Sequence, residues 1–212
     1  MAELSAAILA GGKNIRMKGR NKAFIPVGGT PMVQRSLSVL RKMFKETIIV
    51  TNSPREFAAF EKDSIITVDL IKNRGPLGGI YSALSVTTRK AVFFVACDMP
   101  NLHKALILRL VNYFQRSNFD VVVPRINLLI EPLHGIYRKE LNDRLKVFLG
   151  TGKDYSVRSF LRTVNVGYLD LEDNLLNRKI FSNLNTPQDL KDLVEGVWKQ
   201  NQKPGRKEAS II

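Results

Sequence analysis

Ala91-Val92-Phe93-Phe94-Val95-Ala96 is a run without a polar member, and Cys97-Asp98-Met99-Pro100 follows it directly. A strand that is apolar on both of its faces belongs inside a parallel sheet covered by helices on each side. A carboxylate placed just past its end points into the crevice where open parallel sheets bind their ligands. The chain on either side repeats the pattern of strand, then helix. Ala6–Leu9, Thr47–Thr51, Ile65–Val68, Asp120–Val123, Leu133–Tyr137 and Val164–Tyr168 read as further strands. Met32–Phe44 has apolar residues at helical spacing (Val33, Leu37, Leu40, Phe44). Short helices are expected at Pro54–Phe60 and Ser156–Leu161, and longer ones from Gly75 to about Ser85, from an Asn101 cap to about Arg116, and over Lys139–Phe148. Pro187 suits the first turn of a last helix, behind an Asn185 or Thr186 cap. The expected fold is α/β: one Rossmann-like domain with a mostly parallel central sheet, helices on both faces, and a short antiparallel element in the C-terminal half.

Composition narrows the function. The chain has 212 residues, with 33 Lys and Arg against 19 Asp and Glu, a formal charge of +14. Such a field draws anions, whether nucleotides, phosphorylated cofactors or nucleic acid. Residues 1–198 read as the domain and 199–212 as a basic tail in which Lys199, Lys203, Arg206 and Lys207 face only Glu208. A single cysteine, Cys97, excludes an internal disulfide and a cysteine-based zinc site. With no histidine placed to activate it, Cys97 reads as a small core residue. The start lacks the pattern of a signal peptide, and no apolar run reaches the roughly 18 residues of a membrane span. A cytoplasmic, monomeric protein is expected.

The first strand ends in Leu9-Ala10-Gly11-Gly12, and the stretch Lys13 to Lys22 holds five basic residues and no acidic one. Glycines let the backbone approach a ligand closely, and dense positive charge with exposed amides suits a triphosphate. The stretch is neither a Walker A loop nor a G-x-G-x-x-G fingerprint. From the residues alone, a solvated glycine loop fits equally well.

Leu9-Ala10-Gly11-Gly12, then Arg16-Met17, then Lys22-Ala23 resembles the signature loop of the MobA-type nucleotidyltransferases, the molybdenum cofactor guanylyltransferases. Two positions depart from that pattern: Lys18 stands where the family usually has glycine, and Asn21 where it usually has aspartate. Asn52 past the second strand matches a nucleotide-contacting asparagine. Asp69, followed by Gly75-Pro76-Leu77-Gly78-Gly79, matches a strand-end aspartate and a Gly-Pro-Leu-(Ala or Gly)-Gly segment. Asp98 matches the aspartate of an Asp-x-Pro motif that coordinates the metal. Glu131-Pro132-Leu133-His134-Gly135-Ile136-Tyr137 resembles a segment on the acceptor side of the cleft, and His134 is read as a packed residue. Phe181-Ser182-Asn183-Leu184-Asn185-Thr186-Pro187 resembles the family's closing Asn-x-Asn-Thr-Pro motif.

The resemblance, running from Ala6 to Leu190, implies GMP transfer from GTP to the phosphate of molybdopterin with Mg2+ as cofactor. It assigns Leu9, Ala10, Gly11, Gly12, Lys22, Asn52, Asp69, Gly78 and Asp98 to the nucleotide, and the chemistry to Lys22, Arg16 and Asp98, with Asp98 on the metal. Asn183 and Asn185 are implicated on the acceptor or metal side. They favour guanylyl over cytidylyl transfer, since the cytidylyl branch tends to have aspartate in place of one of them. Lys153 and Arg158 form a small basic site before a short helix, suited to the acceptor's phosphate or equally to a solvated surface. Other proteins of molybdenum cofactor biosynthesis are the expected partners, and neither membrane nor nucleic acid is. Two alternatives stand beside this reading: a relative that uses CTP or another phosphorylated acceptor, and a non-catalytic basic module that binds nucleotide or nucleic acid. The second lacks an aromatic strand face on which bases would stack.

Overall fold

A computed structural model describes residues 1–11, 21–151, 154–184 and Asp189. Ten strands and six α-helices are described: β1 (Leu4–Leu9), β2 (Pro26–Val27), β3 (Thr30–Pro31), α1 (Met32–Leu40), β4 (Thr47–Val50), β5 (Ile65–Thr67), α2 (Gly75–Val86), β6 (Ala91–Ala96), α3 (Lys104–Gln115), β7 (Val121–Ile126), β8 (Leu129–Ile130), β9 (Ile136–Arg138), α4 (Leu141–Thr151), α5 (Val157–Leu161), β10 (Val166–Leu171) and α6 (Leu175–Ile180). Three 3-10 turns, Lys22–Phe24, Pro54–Phe60 and Pro132–His134, complete the described set.

The main sheet runs β5-β4-β1-β6-β9-β7-β10, with β8 added as a hairpin on β7. All neighbours on the path pair in parallel except β9, which is antiparallel to both β6 and β7. This is the mostly parallel sheet expected, with its antiparallel element in the C-terminal half.

Strand alternation divides the core between the two faces. Ala6 and Ile8 of β1 and Phe93 and Val95 of β6 pack under Val33, Leu37 and Leu40 of α1 and Leu106, Leu110 and Phe114 of α3. On the opposite face, Ala7, Leu9, Val92 and Phe94 meet Leu77, Ile80 and Leu84 of α2, Leu141, Leu145 and Leu149 of α4, and Phe160 of α5. All six residues of β6 are buried, as its sequence requires. No helix among the described residues is long and apolar enough to cross a membrane.

Parallel pairing gathers the carboxyl ends of β1, β4, β5, β6 and β7 along one edge. The chain leaves β1 for β4 on one side and leaves β6 for β7 on the other. The order therefore reverses between β1 and β6, and a crevice opens there. Because β9 runs the other way, it is its beginning, Glu131–Gly135, that reaches this edge.

Several expectations are corrected. Asn101 does not cap α3: the helix starts at Lys104 after His103, and the Asn101 amide instead donates to the Lys179 carbonyl at 3.2 Å. The strand expected at Leu133–Tyr137 begins only at Ile136, because Pro132 opens a 3-10 turn ahead of it. The strand expected to end at Val123 runs on as β7 to Ile126. Pro124, beyond the last β9 pairing at Val122, does not stop it. Residues 175–180, to which the sequence reading assigns no element, form α6, capped by the Asn174 side chain on the Asn177 amide. The last helix expected at Pro187 lies outside the described residues, as does the tail 199–212.

Gly135 shows how tightly β9 is inserted. A Cβ there would stand 2.7 Å from Val123 Cγ1 and 2.8 Å from the Val122 carbonyl oxygen. Since backbone cannot yield, Gly135→Ala is expected to destabilise the fold by about 1–3 kcal/mol, the usual cost of overpacking. Urea denaturation of the two proteins measures it.

Candidate active site

The crevice has three corners. The first lies past β1, β4 and β5. The Ala10 amide donates to the Val50 carbonyl at 2.8 Å, continuing the ladder. Asn52, just past β4, donates its amide to Asp69 Oδ2 at 3.0 Å. Gly11 lies against both: a Cβ on it would meet Asn52 Nδ2 at 3.4 Å and Asp69 Oδ2 at 3.5 Å. Leu9, Ala10, Gly11, Asn52 and Asp69, separated by up to 60 positions, thus meet in one place.

The start of α2 closes this corner. Gly75 takes φ +58°, in the left-handed region that favours glycine, and Pro76 enters the first turn. No side chain caps this helix start, and the start of a helix is a position favourable to an anion. The two following glycines do different work. A Cβ on Gly78 would meet the Ile71 carbonyl oxygen at 3.0 Å and Arg74 Cβ at 3.2 Å, so Gly78 answers to packing against the preceding loop. Gly79 packs against the strand ends: a Cβ on it would meet Leu9 Cδ2 at 3.0 Å, and Asp69 Oδ1 and Val50 Cγ1 at 3.6 Å. The resemblance assigns Gly78 to the nucleotide; close packing holds both positions to glycine as well.

The second corner holds the charges. Lys22 opens a 3-10 turn and Asp98 follows β6, and their side chains meet with Nζ 3.9 Å from Oδ2, each about one-fifth exposed. Such a pair adds little stability. Its position is the point: a cation and a carboxylate face each other at the sheet's switch point. The backbone around Asp98 is held on both sides. The Cys97 amide donates to the Leu9 carbonyl at 3.1 Å, and the Asp98 carbonyl accepts from the Leu184 amide at 2.9 Å. That second bond brings the Phe181–Leu184 segment to Asp98. Asn183, within it, has a buried Oδ1 with no hydrogen-bond partner among the described residues. A buried acceptor left without a partner is uncommon.

These donors suit a hard divalent cation. Magnesium takes oxygen ligands, commonly one or two from protein with the rest from substrate phosphates and water. Asp98 offers a carboxylate and Asn183 an unused amide oxygen. Among the described residues no group of three or more histidine, cysteine or acidic side chains could hold a metal by itself. A site of this composition depends on substrate to complete it.

The third corner lies around Arg158 and Glu131, in the segment that the resemblance places on the acceptor side. Arg158, on α5, donates Nη2 to the Ile130 carbonyl at 3.1 Å. It lines a small pocket with Pro124, Ile126, Ile130, Glu131 and Phe181. Burial pushes the Glu131 carboxyl up to about 7, against the pull of the Arg158 guanidinium, and the charge of Asp98 adds to the rise. Sequence reasoning places Glu131 in a motif without giving it a role. Arg74, beside the glycine segment, stacks its guanidinium 4.0 Å over the Tyr155 ring and ties α2 to the loop before α5. Gly12, Arg16, Lys153 and Asn185 lie outside the described residues.

The sequence that builds this glycine corner, the facing Lys22 and Asp98, and the Arg158 corner has known relatives. The model of the MobA-like NTP transferase domain matches residues 6–167. The chain belongs to this family. A Clostridium perfringens protein named "Probable molybdenum cofactor guanylyltransferase" is 32% identical over 199 residues, covering 92% of this chain and 98% of its own. A Syntrophotalea carbinolica protein named "Molybdenum cofactor guanylyltransferase" is 31% identical over 188 residues, covering 87% and 88%. In fold, this MobA-like domain is similar to molybdopterin-guanine dinucleotide biosynthesis protein A of Archaeoglobus fulgidus. The TM-score is 0.75 at 23% identity, over 91% of this chain and 98% of that one.

Two side chains of the MobA-like domain, the half-buried Cys97 and the buried His134, are held toward their neutral forms. Burial pushes the Cys97 thiol up to about 12, with Asp98 adding to it, so no thiolate forms at neutral pH. His134 is fully buried, its ring edge-on to Phe93 and Phe181, and neither ring nitrogen has a hydrogen-bond partner among the described residues. Burial pushes its imidazole down to about 3, against about 6.5 when unfolded. The unfolded chain therefore binds the extra proton between those values. The stability that His134 supports is complete above about pH 6.5 and falls as pH drops toward 3. In His134→Phe, the acid loss of unfolding free energy between pH 6 and 4 is expected to be shallower by up to about 1.4 kcal/mol per pH unit. Denaturant titrations across that range give the two slopes, and equal slopes would refute the assignment.

Proposed function

We propose that this chain transfers GMP from GTP to the phosphate of molybdopterin and releases pyrophosphate, with magnesium as cofactor. The carrying observation is that Lys22 and Asp98 face each other, 3.9 Å apart, where the strand order reverses. Family membership and the names of relatives that span nearly the whole chain support the same reading.

In this proposal the backbone of Leu9–Gly12 and the pair Asn52 and Asp69 receive the nucleoside. The open start of α2, where Gly78 and Gly79 stand, lies alongside. Asn183 and Asn185 support guanine nucleotide over cytosine nucleotide through the resemblance of their motif. Lys22 and Arg16 hold the triphosphate. Arg158 and Lys153 hold the acceptor's phosphate.

The reaction makes one P–O bond and breaks another. An acceptor phosphate oxygen attacks the α-phosphorus, and the bond to the β-phosphate breaks. No strong base is required, because a phosphomonoester with its second pKa near about 6 is mostly dianionic at neutral pH. The chain's task is to bring two mutually repelling anions together and to balance the charge that builds on the leaving pyrophosphate. Lys22 serves the second need at the α–β junction. Asp98, with the Asn183 amide oxygen, is the set that would hold magnesium, which when bound neutralises phosphate charge. The formal charge of +14 draws both substrates inward.

Mass-detected transfer of GMP to molybdopterin tests the activity, with magnesium supplied and then chelated, and with CTP in a parallel arm. Transfer from GTP that stops on chelation is expected. Equal or faster transfer from CTP would overturn the nucleotide assignment. Lys22→Ala and Asp98→Ala are each expected to cut turnover by about two orders of magnitude or more, the scale of ~3 kcal/mol of lost charge stabilisation. Near-wild-type rates in either folded variant would remove that residue from the chemistry.

A further inference from the structure

The turn that presents Lys22 is held by a brace from outside the main sheet. Asn21 caps that turn, its Oδ1 accepting from the Ala23 amide at 3.1 Å. The other end of the same side chain, Nδ2, donates to Glu56 Oε2 at 3.0 Å. Glu56 stands in the first turn of the 3-10 helix Pro54–Phe60. The next residue, Phe57, is fully buried and places its ring 4.8 Å from that of Phe24 at the far end of the Lys22 turn. The same helix begins two positions after Asn52, whose amide holds Asp69. One short segment, 52–57, therefore fixes the nucleoside corner at one end and the Lys22 turn at the other.

We infer that Glu56, acting through Asn21, is a positioning residue for Lys22. The chemistry of the amide carries this assignment. Asn21 accepts from the turn and donates to the carboxylate at the same time, which a carboxylate in its place cannot do. Aspartate would cap the turn as well as asparagine does. It would also set two like charges at hydrogen-bonding distance, where repulsion replaces attraction. The sequence departs from the MobA-type pattern at this position, with asparagine where aspartate is usual, and Glu56 supplies a physical reason. With the bond in place, the Glu56 charge is engaged by a neutral donor and Lys22 is held toward Asp98.

The inference rests on the proposed role of Lys22 at the triphosphate, and its test is a double-mutant cycle read by binding. Wild type, Asn21→Asp, Glu56→Gln and the double variant are titrated calorimetrically with Mg-GTP and, separately, with inorganic tripolyphosphate. Tripolyphosphate keeps the brace testable if the nucleotide assignment is mistaken. Thermal midpoints are recorded alongside, and those of the variants are expected to stay within a few degrees of wild type. Asn21→Asp is expected to weaken both ligands by about fivefold or more, a coupling typical of side chains in contact. Glu56→Gln alone is expected to change affinity by less than about twofold, because its amide oxygen still accepts from Asn21. In the double variant the introduced glutamine amide can donate to the introduced aspartate, and affinity is expected to return to within about twofold of wild type. Glu56→Ala, which removes the anchor without adding charge, is expected to weaken both ligands by about two- to threefold. Unchanged affinity in Asn21→Asp, or no recovery in the double variant, would overturn the brace. Loss of GTP binding by the wild type with tripolyphosphate binding kept would instead count against the proposed nucleotide.

Discussion

The parallel pairing of β1 with β6 is the constraint from which the rest of the site follows. Six residues of each strand are in register, from Leu4 opposite Ala91 to Leu9 opposite Ala96. Both strands are buried on both faces. A shift of one residue would turn every side chain to the other face, exchanging Phe93 for Phe94 beneath two differently shaped helical layers. With the register fixed, Leu9–Gly11 and Asp98 must emerge side by side. The Cys97 amide on the Leu9 carbonyl extends the ladder one step past the strands and into the site.

Around that pair, the site is assembled by short-range polar contacts between segments far apart in sequence. Asn52 holds Asp69, Asn21 holds Glu56, and the Leu184 amide holds the Asp98 carbonyl. Much of this lies near the surface, where single bonds contribute little to stability. Their effect is on geometry. A group aimed at developing charge is useful only if it is already in place, since reorganisation would cost the advantage. A rigid two-faced core supporting an edge of caps, turns and paired amides meets that need.

The corner around Glu131 and Arg158 is built differently. It depends on β9, three residues long and antiparallel to both neighbours. Its reversed direction carries Glu131–Gly135 to the edge where the parallel strands of the sheet end. The same insertion buries His134 between Phe93 and Phe181 and brings Phe181–Leu184 beneath Asp98. A Tyr137 hydroxyl donating to the Pro132 carbonyl at 2.9 Å closes this unit on itself. The Phe93, His134 and Phe181 rings thus pack between this unit and the segment that reaches Asp98.

Read alone, the amino-acid sequence determined the architecture and half of the site. Ala91–Ala96 has no polar residue, so it had to lie inside a helix-covered parallel sheet, and Asp98 had to stand at its end. Strand ends and glycines are local signals that marked Leu9–Gly11 as a ligand-facing stretch, while Lys22, Asn52 and Asp69 were singled out through the resemblance of their motifs. What only the tertiary structure decided is whatever depends on direction or on distant partners. Periodicity is blind to strand direction, so the placement of β9, and with it Glu131, was not written in its three residues. Leu175 and Leu176 leave more than half of their surface exposed, so α6 carries no apolar stripe to read. The face that each of Gly78 and Gly79 presents, and the pairing of Asn21 with Glu56 across 35 positions, arise only when packed helices fix the backbones. A hydrogen bond needs a partner within about 3 Å, and separation along a chain says nothing about that distance.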